Sequence, residues 1–414
     1  MNLRILNEKS LPVVVLGTGW SAFSFVRKLR RPAIVISPRN HFVFTPLLAS
    51  TTVGTLEFRS ITEPIRRLSH VQYYEGNCTD INLENKSLEY TDWANKKHSL
   101  VYDQLVLGYG SVPNTFNIPG VPEHALFLRE VHHARKIRKK IIECLEFASH
   151  EDVTEAEKRQ LLHFCIVGAG ATGIEFGGEL YDFILSDILK AYPLITPFVK
   201  ITIFDVSDRI LGGFSKSLSS YASNKFMRDG IELRLSTPIL KVAKDHLELK
   251  SGELVSFGML VWSTGLSEHP LSKKLNLDKE KGRLCVDDHC RVLQDIKPIN
   301  NVFAIGDCAV STESHLPQTA QVAAQEGNYL AKQLNSPSSE PFKYKHLFTT
   351  AYIGSWKSII DKPGVGRLHG TIAWLIWRSA YFTQAVSWKN KILIPVYWFT
   401  TWIFGREISR IKDN

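Results

Sequence analysis

The chain has 414 residues, 44% apolar and 22% charged, which suits two or three domains with a large buried core and excludes a disordered or fibrous protein. Lys and Arg number 50 against 41 Asp and Glu; residues 351–414 carry nine basic and three acidic side chains, so +6 of the net +9 lies there. Six cysteines in this length argue against a disulfide framework and for a reducing compartment, and no run of roughly 20 apolar residues is present to span a bilayer as a helix.

About a dozen residues precede the first predicted strand, Pro12–Leu16, so no cleavable presequence is expected. The strand runs into Gly17-Thr18-Gly19-Trp20-Ser21-Ala22, then a helical stretch to about Arg30 and a second strand, Ala33–Ile36. Phe164–Val167 repeats the pattern with Gly168-Ala169-Gly170-Ala171-Thr172-Gly173, a helix, and a second strand at Lys200–Phe204. In such a unit the first Gly permits a tight turn, the second lets the backbone approach a pyrophosphate, and a small third residue lets helix pack on strand. The phosphates rest on the helix N-terminus, where unpaired N–H groups and the helix dipole favour an anion. Two such units in one chain predict two bound dinucleotides.

The acid that normally follows on the second strand accepts ribose hydroxyls. After the second turn it is Asp205, delayed by a helical excursion over Tyr181–Phe198, and its charge favours NADH over NADPH. After the first turn the place is taken by Ser37, in Ser37-Pro38-Arg39. Glycine-ended strands at Leu105–Gly110 and Leu260–Gly265 stand where the chain would cross between domains, and Asn301–Asp307 is a buried-strand pattern ending in Gly306-Asp307. In flavoproteins that bind two dinucleotides, such a strand returns to the FAD domain and its Asp holds the ribitol.

The tail is aromatic: five of the nine tryptophans lie beyond residue 370. Trp374, Trp377 and Tyr381 share one side of a predicted helix, and Trp398 and Trp402 are one turn apart in another. Ile392–Gly405 is uncharged for 14 residues, too short to span, with Lys389 and Lys391 before it and Arg406, Arg410 and Lys412 after. Aromatic and basic side chains around a short apolar helix predict binding to an anionic lipid surface; a helical hairpin packed on the globule or in a homodimer is the other reading.

With these elements placed, the sequence resembles the type II, rotenone-insensitive, non-pumping NADH:quinone oxidoreductases, particularly the mitochondrial-type ones. The resemblance rests on Ile36–Leu48 (ISPRNHFVFTPLL), Val53-Gly54-Thr55, Arg59-Ser60-Ile61, Glu63-Pro64-Ile65, Pro317–Glu326 (PQTAQVAAQE) and Ala351–Ser355 (AYIGS). It implies an α/β fold of two doubly wound Rossmann-like dinucleotide-binding domains plus a C-terminal amphipathic, membrane-binding region. The expected boundaries are 1–120 and 271–345 for the FAD domain, 121–270 for the NADH domain and 346–414 for the anchor. It implies tight, non-covalent FAD at Gly17, Gly19, Trp20, Ser37, Thr45, Pro46, Gly306 and Asp307, and NADH at Gly168, Gly170, Gly173, Asp205 and Gly265. Gln321 and Gln325 would line a ubiquinone site, with Ala324 standing where relatives can carry His. Glu175 matches a glutamate that the family places near nicotinamide and quinone; a carboxylate so close to the helix start would equally satisfy its N–H groups. The implied location is peripheral on the inner membrane of a mitochondrion or of a reduced mitochondrion-like organelle.

Within flavoenzymes, a disulfide reductase would keep a cysteine pair soon after the first turn, where this chain has Phe44-Thr45-Pro46-Leu47-Leu48; Cys285 and Cys290 lie far downstream. A redox-gated binding protein resembling apoptosis-inducing factors is the alternative, with Arg129–Lys140 as its basic patch, although a solvated helix face explains that run without nucleic acid. His132-His133 lacks a third ligand, and no calcium-loop pattern is present, so no metal is expected.

Overall fold

The computed structural model describes residues 12–362, 366–385 and 387–410; Lys412, one of the expected flanking cations, lies outside them. The elements used below are strands β1 (Val13–Leu16), β2 (Ala33–Ser37), β3 (Gln104–Leu107), β4 (His163–Val167), β5 (Lys200–Phe204), β6 (Met259–Trp262), β7 (Lys297–Ala304) and β8 (Thr349–Tyr352). The helices are α1 (Trp20–Lys28), α2 (Ala171–Phe183), α3 (Ala320–Asn335), α4 (Thr371–Gln384) and α5 (Trp388–Phe404).

Two compact units form. One holds the chain up to Val43, Glu63–Val112 and Leu266–His346; the other holds Phe44–Thr62, Pro113–Gly265 and the chain from Leu347 onward. Phe44–Thr62 and the tail therefore lie in the second unit, whereas the sequence boundaries put the former in the FAD domain and the latter by itself. The physical reason is a set of side-chain hydrogen bonds: Ser50 and Thr55 donate to Glu179 of α2, and Tyr352 donates to Asp182.

In the first unit, β7, β3, β1, β2 and Val71–Asn82 run parallel and side by side at the centre of an 11-stranded sheet. Val14 pairs with Ile34 on one side and Leu105 on the other, all three buried. Strands covered on both faces read as unbroken apolar runs, which is why β1 and β2 were legible as Val-Val-Val-Leu and Ala-Ile-Val-Ile. Helix α1 lies tight against α3, since a side chain at Gly327 would collide with the Ser21 carbonyl. The second unit repeats the plan with five parallel strands in the order Leu126–Phe127, β6, β4, β5, Glu232–Arg234. Here α2 leaves β4, passes through a π-helical turn at Ile184–Ile188, and ends at Ala191 after one further α-turn.

The tail folds as a three-stranded antiparallel sheet beginning with β8, followed by α4 and α5. Its inner aromatic residues follow the second reading of the tail, a helical hairpin packed on the globule. Trp374, Trp377 and Tyr381 are buried: Trp377 stacks on Tyr352 with centroids 5.3 Å apart, and Tyr381 meets Phe44 edge-on at 5.8 Å. They pack the hairpin onto the globule, and the outer face is made instead by Ile372, Leu375, Ile376 and Phe382 of α4 with Trp388, Ile392, Val396, Phe399, Trp402 and Phe404 of α5. Two of the expected surface cations also turn inward. Lys389 Nζ donates to the Thr62 carbonyl at 2.6 Å, and Arg406 pairs with Asp187 at 2.8 Å with only 11% and 10% of the side chains exposed. Arg406 Nε donates in addition to Thr55 Oγ1 at 2.9 Å, which ties the end of α5 to the body of the second unit. No helix among the described residues is long and apolar enough to cross a membrane.

Arg406→Ala leaves the Asp187 carboxylate buried without its cation, a change that costs about 3–5 kcal/mol in comparable sites. Thermal unfolding should show Tm lower by at least about 5 °C, with a smaller loss in the Arg406→Ala, Asp187→Asn pair; an unchanged Tm would mean that the pair holds nothing in place.

Candidate functional site

Each unit carries a nucleotide cradle at the carboxyl end of its central strand. In the first, Gly17 turns at φ +106°, and a Cβ there would strike the Gly108 carbonyl. Gly19 is the N-cap of α1; no side chain caps the helix, its first turn has no acid, and a Cβ on Gly19 would meet nothing within 4 Å. The helix N-terminus therefore faces a space kept free of side chains, which fits a pyrophosphate. Asp307 follows β7, where Ser111 Oγ donates to its carboxylate at 3.3 Å and the Gln318 amide to its carbonyl at 2.8 Å. Gly306 donates its N–H to Glu326 at 2.6 Å, and a Cβ on Gly306 would press on Ser21 of α1. Burial raises the Glu326 carboxyl to about 7, against the opposing pull of that N–H and of the Arg283 cation.

The second cradle has the same geometry. Gly168 turns at φ +106° beneath the Ser263 carbonyl, and Gly170, the uncapped N-cap of α2, again faces open space. Gly173 lies so close to the Gly168 carbonyl that any side chain would clash, which brings helix against strand. Asp205 accepts from the Ala169 N–H at 2.6 Å and the Ser207 N–H at 2.7 Å, so the carboxylate braces the turn and retains lone pairs for a ribose. The Gly265 carbonyl accepts from the Asn114 N–H at 2.8 Å, and a Cβ on Gly265 would meet nothing within 4 Å. The residues present fit a dinucleotide in both cradles.

Glu175 does not cap α2, whose first turn is free of acids. It lies buried and accepts the Tyr352 N–H at 3.3 Å; burial raises its carboxyl to about 8, with nearby Glu179 adding to the rise. Glu179 and Asp182 continue the same face of α2 at i+4 and i+7, also buried. Glu179 takes the Ser50 and Thr55 hydroxyls, each at 2.7 Å, while Asp182 takes the Tyr352 hydroxyl and, at 2.7 Å, the Ser355 N–H. Burial also lifts Asp182, to about 6. Glu179, Asp182 and Tyr352 border a cavity of about 970 Å³ that Trp374, Arg378 and Trp398 also line. The Arg378 guanidinium is sandwiched at 4.3 Å from the Trp374 ring and 4.0 Å from that of Trp398.

The other predicted residues fall in varied settings. Trp20 begins α1, half-buried and edge-on to Phe42 at 4.9 Å. The Ser37 hydroxyl is buried and engaged with Thr18 at 3.2 Å and the Arg39 N–H at 3.3 Å. Thr45 and Pro46 start a 3-10 turn in the second unit, Thr45 exposed. Gln321 and Gln325 lie on α3, and both ends of the Gln325 amide are bound to the Lys345 backbone, at 2.9 and 3.0 Å. His133 serves as a cap, accepting the Glu130 N–H at 3.2 Å, and burial lowers its imidazole to about 4. All six cysteines are free thiols. The sequence reading missed Glu179, Asp182, Tyr352, Arg378 and the Arg406–Asp187 pair; the available signal was the acid at every turn of an otherwise apolar, glycine-rich helix.

Residues 11–327 match the family model for pyridine nucleotide-disulphide oxidoreductases, and residues 346–407 match the model for the NDH2 C-terminal domain. A probable NADH dehydrogenase of Dictyostelium discoideum is 45% identical over 421 residues, covering 98% of this chain and 92% of that protein. An internal alternative NAD(P)H-ubiquinone oxidoreductase A1, mitochondrial, of Solanum tuberosum is 40% identical over 440 residues, covering 96% and 88%. The solved structure of NDH2 from Plasmodium falciparum in complex with NADH superposes with a TM-score of 0.92 at 26% identity, over 97% of this chain and 100% of that one.

A carboxyl whose pKa is higher in the folded than in the unfolded chain stabilises the fold fully only below the unfolded value. Its contribution is lost as pH rises through the folded value, here about 8 for Glu175. Glu175→Gln, which cannot ionise, should therefore gain stability over the wild type between about pH 5 and pH 8, by at most about 1.4 kcal/mol per pH unit, and no further above that range. Paired thermal unfolding curves across this range check it, and a difference independent of pH would refute the raised carboxyl.

Proposed function

The chain belongs to the type II NADH:quinone oxidoreductase family, and from that premise we propose that it is a peripheral membrane enzyme oxidising NADH and reducing ubiquinone without pumping protons. The observation that carries this reading is the duplicated cradle: two uncapped helix N-termini behind glycine turns, one followed by Asp307 and the other braced by Asp205. The first unit would hold FAD through Gly17, Gly19, Gly306 and Asp307, and the second would hold NADH through Gly168, Gly170, Gly173 and Asp205. FAD, when bound, supplies the two-electron chemistry that links a hydride donor to a quinone.

The chain supplies orientation and protons. Helix α2 receives the NADH pyrophosphate at its N-terminus and carries Glu175 one turn further on, so that one rigid element sets the dinucleotide and a protonated carboxyl in register. The Glu175 carboxyl keeps its proton at neutral pH and can give it to a reduced acceptor. Gln321 of α3 would face the quinone head, while Gln325 holds the chain at Lys345. Asp205 places negative charge where NADPH carries a phosphate, which favours NADH.

The membrane reading rests on the outer faces of α4 and α5, where Trp402 is 67% exposed, Phe404 82% and Trp388 81%. Apolar helices without long spans lie in the interface of a leaflet. Lys389 and Arg406 turn inward while Arg410 stays exposed, so attachment would combine this apolar area with fewer flanking cations than the sequence offers. Relatives are named mitochondrial, and we place the protein on the mitochondrial inner membrane.

Steady-state assays with a short-chain ubiquinone should show kcat/KM at least about tenfold higher for NADH than for NADPH; equal values would remove the role given to Asp205. Replacing Phe399, Trp402 and Phe404 together by Gln should abolish co-sedimentation with vesicles at unchanged Tm. Persistent pelleting would move the anchor elsewhere, and loss of a homodimer instead of vesicle binding would make the face a subunit interface.

A further inference from the structure

The first cradle offers two separate grips, the bare N-terminus of α1 and Asp307 behind β7, and two consecutive residues of α3 touch the segments that carry them. Glu326 accepts the Gly306 N–H at 2.6 Å, a bond from α3 to the residue just before Asp307. Gly327, the next residue, lies against the Ser21 carbonyl of α1, where any side chain would collide. Ser21 closes the triangle: its hydroxyl donates to the Ile305 carbonyl at 3.1 Å, and a Cβ on Gly306 would press on it. Gly306 itself turns at φ +80°, a left-handed conformation that glycine adopts without strain.

Side chains from three separate segments therefore brace the Asp307 turn. The Ser111 hydroxyl donates to the Asp307 carboxylate at 3.3 Å, the Gln318 amide donates to its carbonyl at 2.8 Å, and Glu326 fixes the residue before it. Resting on the FAD site proposed above, we propose that Glu326 is a positioning residue for FAD: its bond to Gly306 sets where Asp307 meets the ribitol. Gly327 sets where α1 meets the pyrophosphate, so α3 keeps the two grips in register. Glu326 acts through Asp307 and does not itself hold the cofactor.

The choice of side chain follows from reach. Aspartate would be one methylene short of the Gly306 N–H, whereas glutamine would offer a carbonyl oxygen at the same reach without the charge. The charge is poorly favoured in this place. Burial and the Asp307 carboxylate work against it, and the cation that works for it is Arg283, whose guanidinium donates to the Leu316 carbonyl at 3.3 Å. Reach, rather than charge, is what the turn requires.

Release of FAD from the loaded enzyme, followed by ultrafiltration after dilution, tests this without reference to turnover. FAD should leave Glu326→Ala and Glu326→Asp at least about tenfold faster than wild type, and Glu326→Gln within about threefold of the wild-type rate. If Glu326→Ala does not fold, Glu326→Asp carries the comparison. In an Asp307→Ala background, Glu326→Ala or Glu326→Asp should add less than about twofold, because the bond acts through that residue. Release at the wild-type rate from the shortened variants, or acceleration that persists in full in the Asp307→Ala background, would overturn the positioning role. Fast release from Glu326→Gln would make charge the operative property and overturn it as well. A wild-type chain that binds no FAD would overturn the functional reading and this inference together.

Discussion

Helix α2 has to present bare N–H groups to an anion at its end while burying three carboxyl groups along its side, and the second unit is arranged around that demand. At the end, Gly168 and Gly173 bring backbone against backbone, and Asp205 holds the Ala169 N–H. Along the side, hydroxyls and N–H groups from Ser50, Thr55, Tyr352 and Ser355 take up the acids. A buried ionised carboxylate without such partners is costly, and apolar residues would pack there with less penalty. Three buried acids on one helix face therefore make this face a candidate for chemistry rather than a source of stability.

The same demand explains why two distant segments belong to this unit. Phe44–Thr62 brings the two hydroxyls that Glu179 needs, and the tail brings Tyr352 for Glu175 and Asp182. Arg406 then locks the end of α5 through Thr55 and Asp187. The tail is thus built into the surroundings of the buried acids. Trp374, Trp377 and Trp398 line the cavity together with the exposed Phe399, Trp402 and Phe404, so one pair of short helices serves packing and would also serve the proposed attachment.

Much of this could be read in the residues because local and tertiary demands agree. Val13–Leu16 and Phe164–Val167 are apolar on both faces since parallel strands are covered on both faces, and the glycine turns that follow can serve little else in that context. The tail left two readings open for a definable reason. Periodicity puts Trp374, Trp377 and Tyr381 on one side of a helix but does not say whether that side meets lipid or protein, and it is Tyr352, in a distant strand, that draws them inward. Arg406 and Lys389 likewise resemble surface cations until Asp187 and the Thr62 carbonyl are placed beside them. The settings of Glu179 and Asp182 depend on hydroxyls more than 120 positions away in the chain, a pairing that no local pattern encodes.

The central claim is that two cradles pass one electron pair from a nicotinamide to a membrane quinone. An anaerobic titration of the purified protein with its FAD tests this most directly. The account predicts that one equivalent of NADH bleaches the flavin absorbance and that one equivalent of ubiquinone restores it. Flavin that stays oxidised with NADH, or stays bleached when quinone is added, would contradict it.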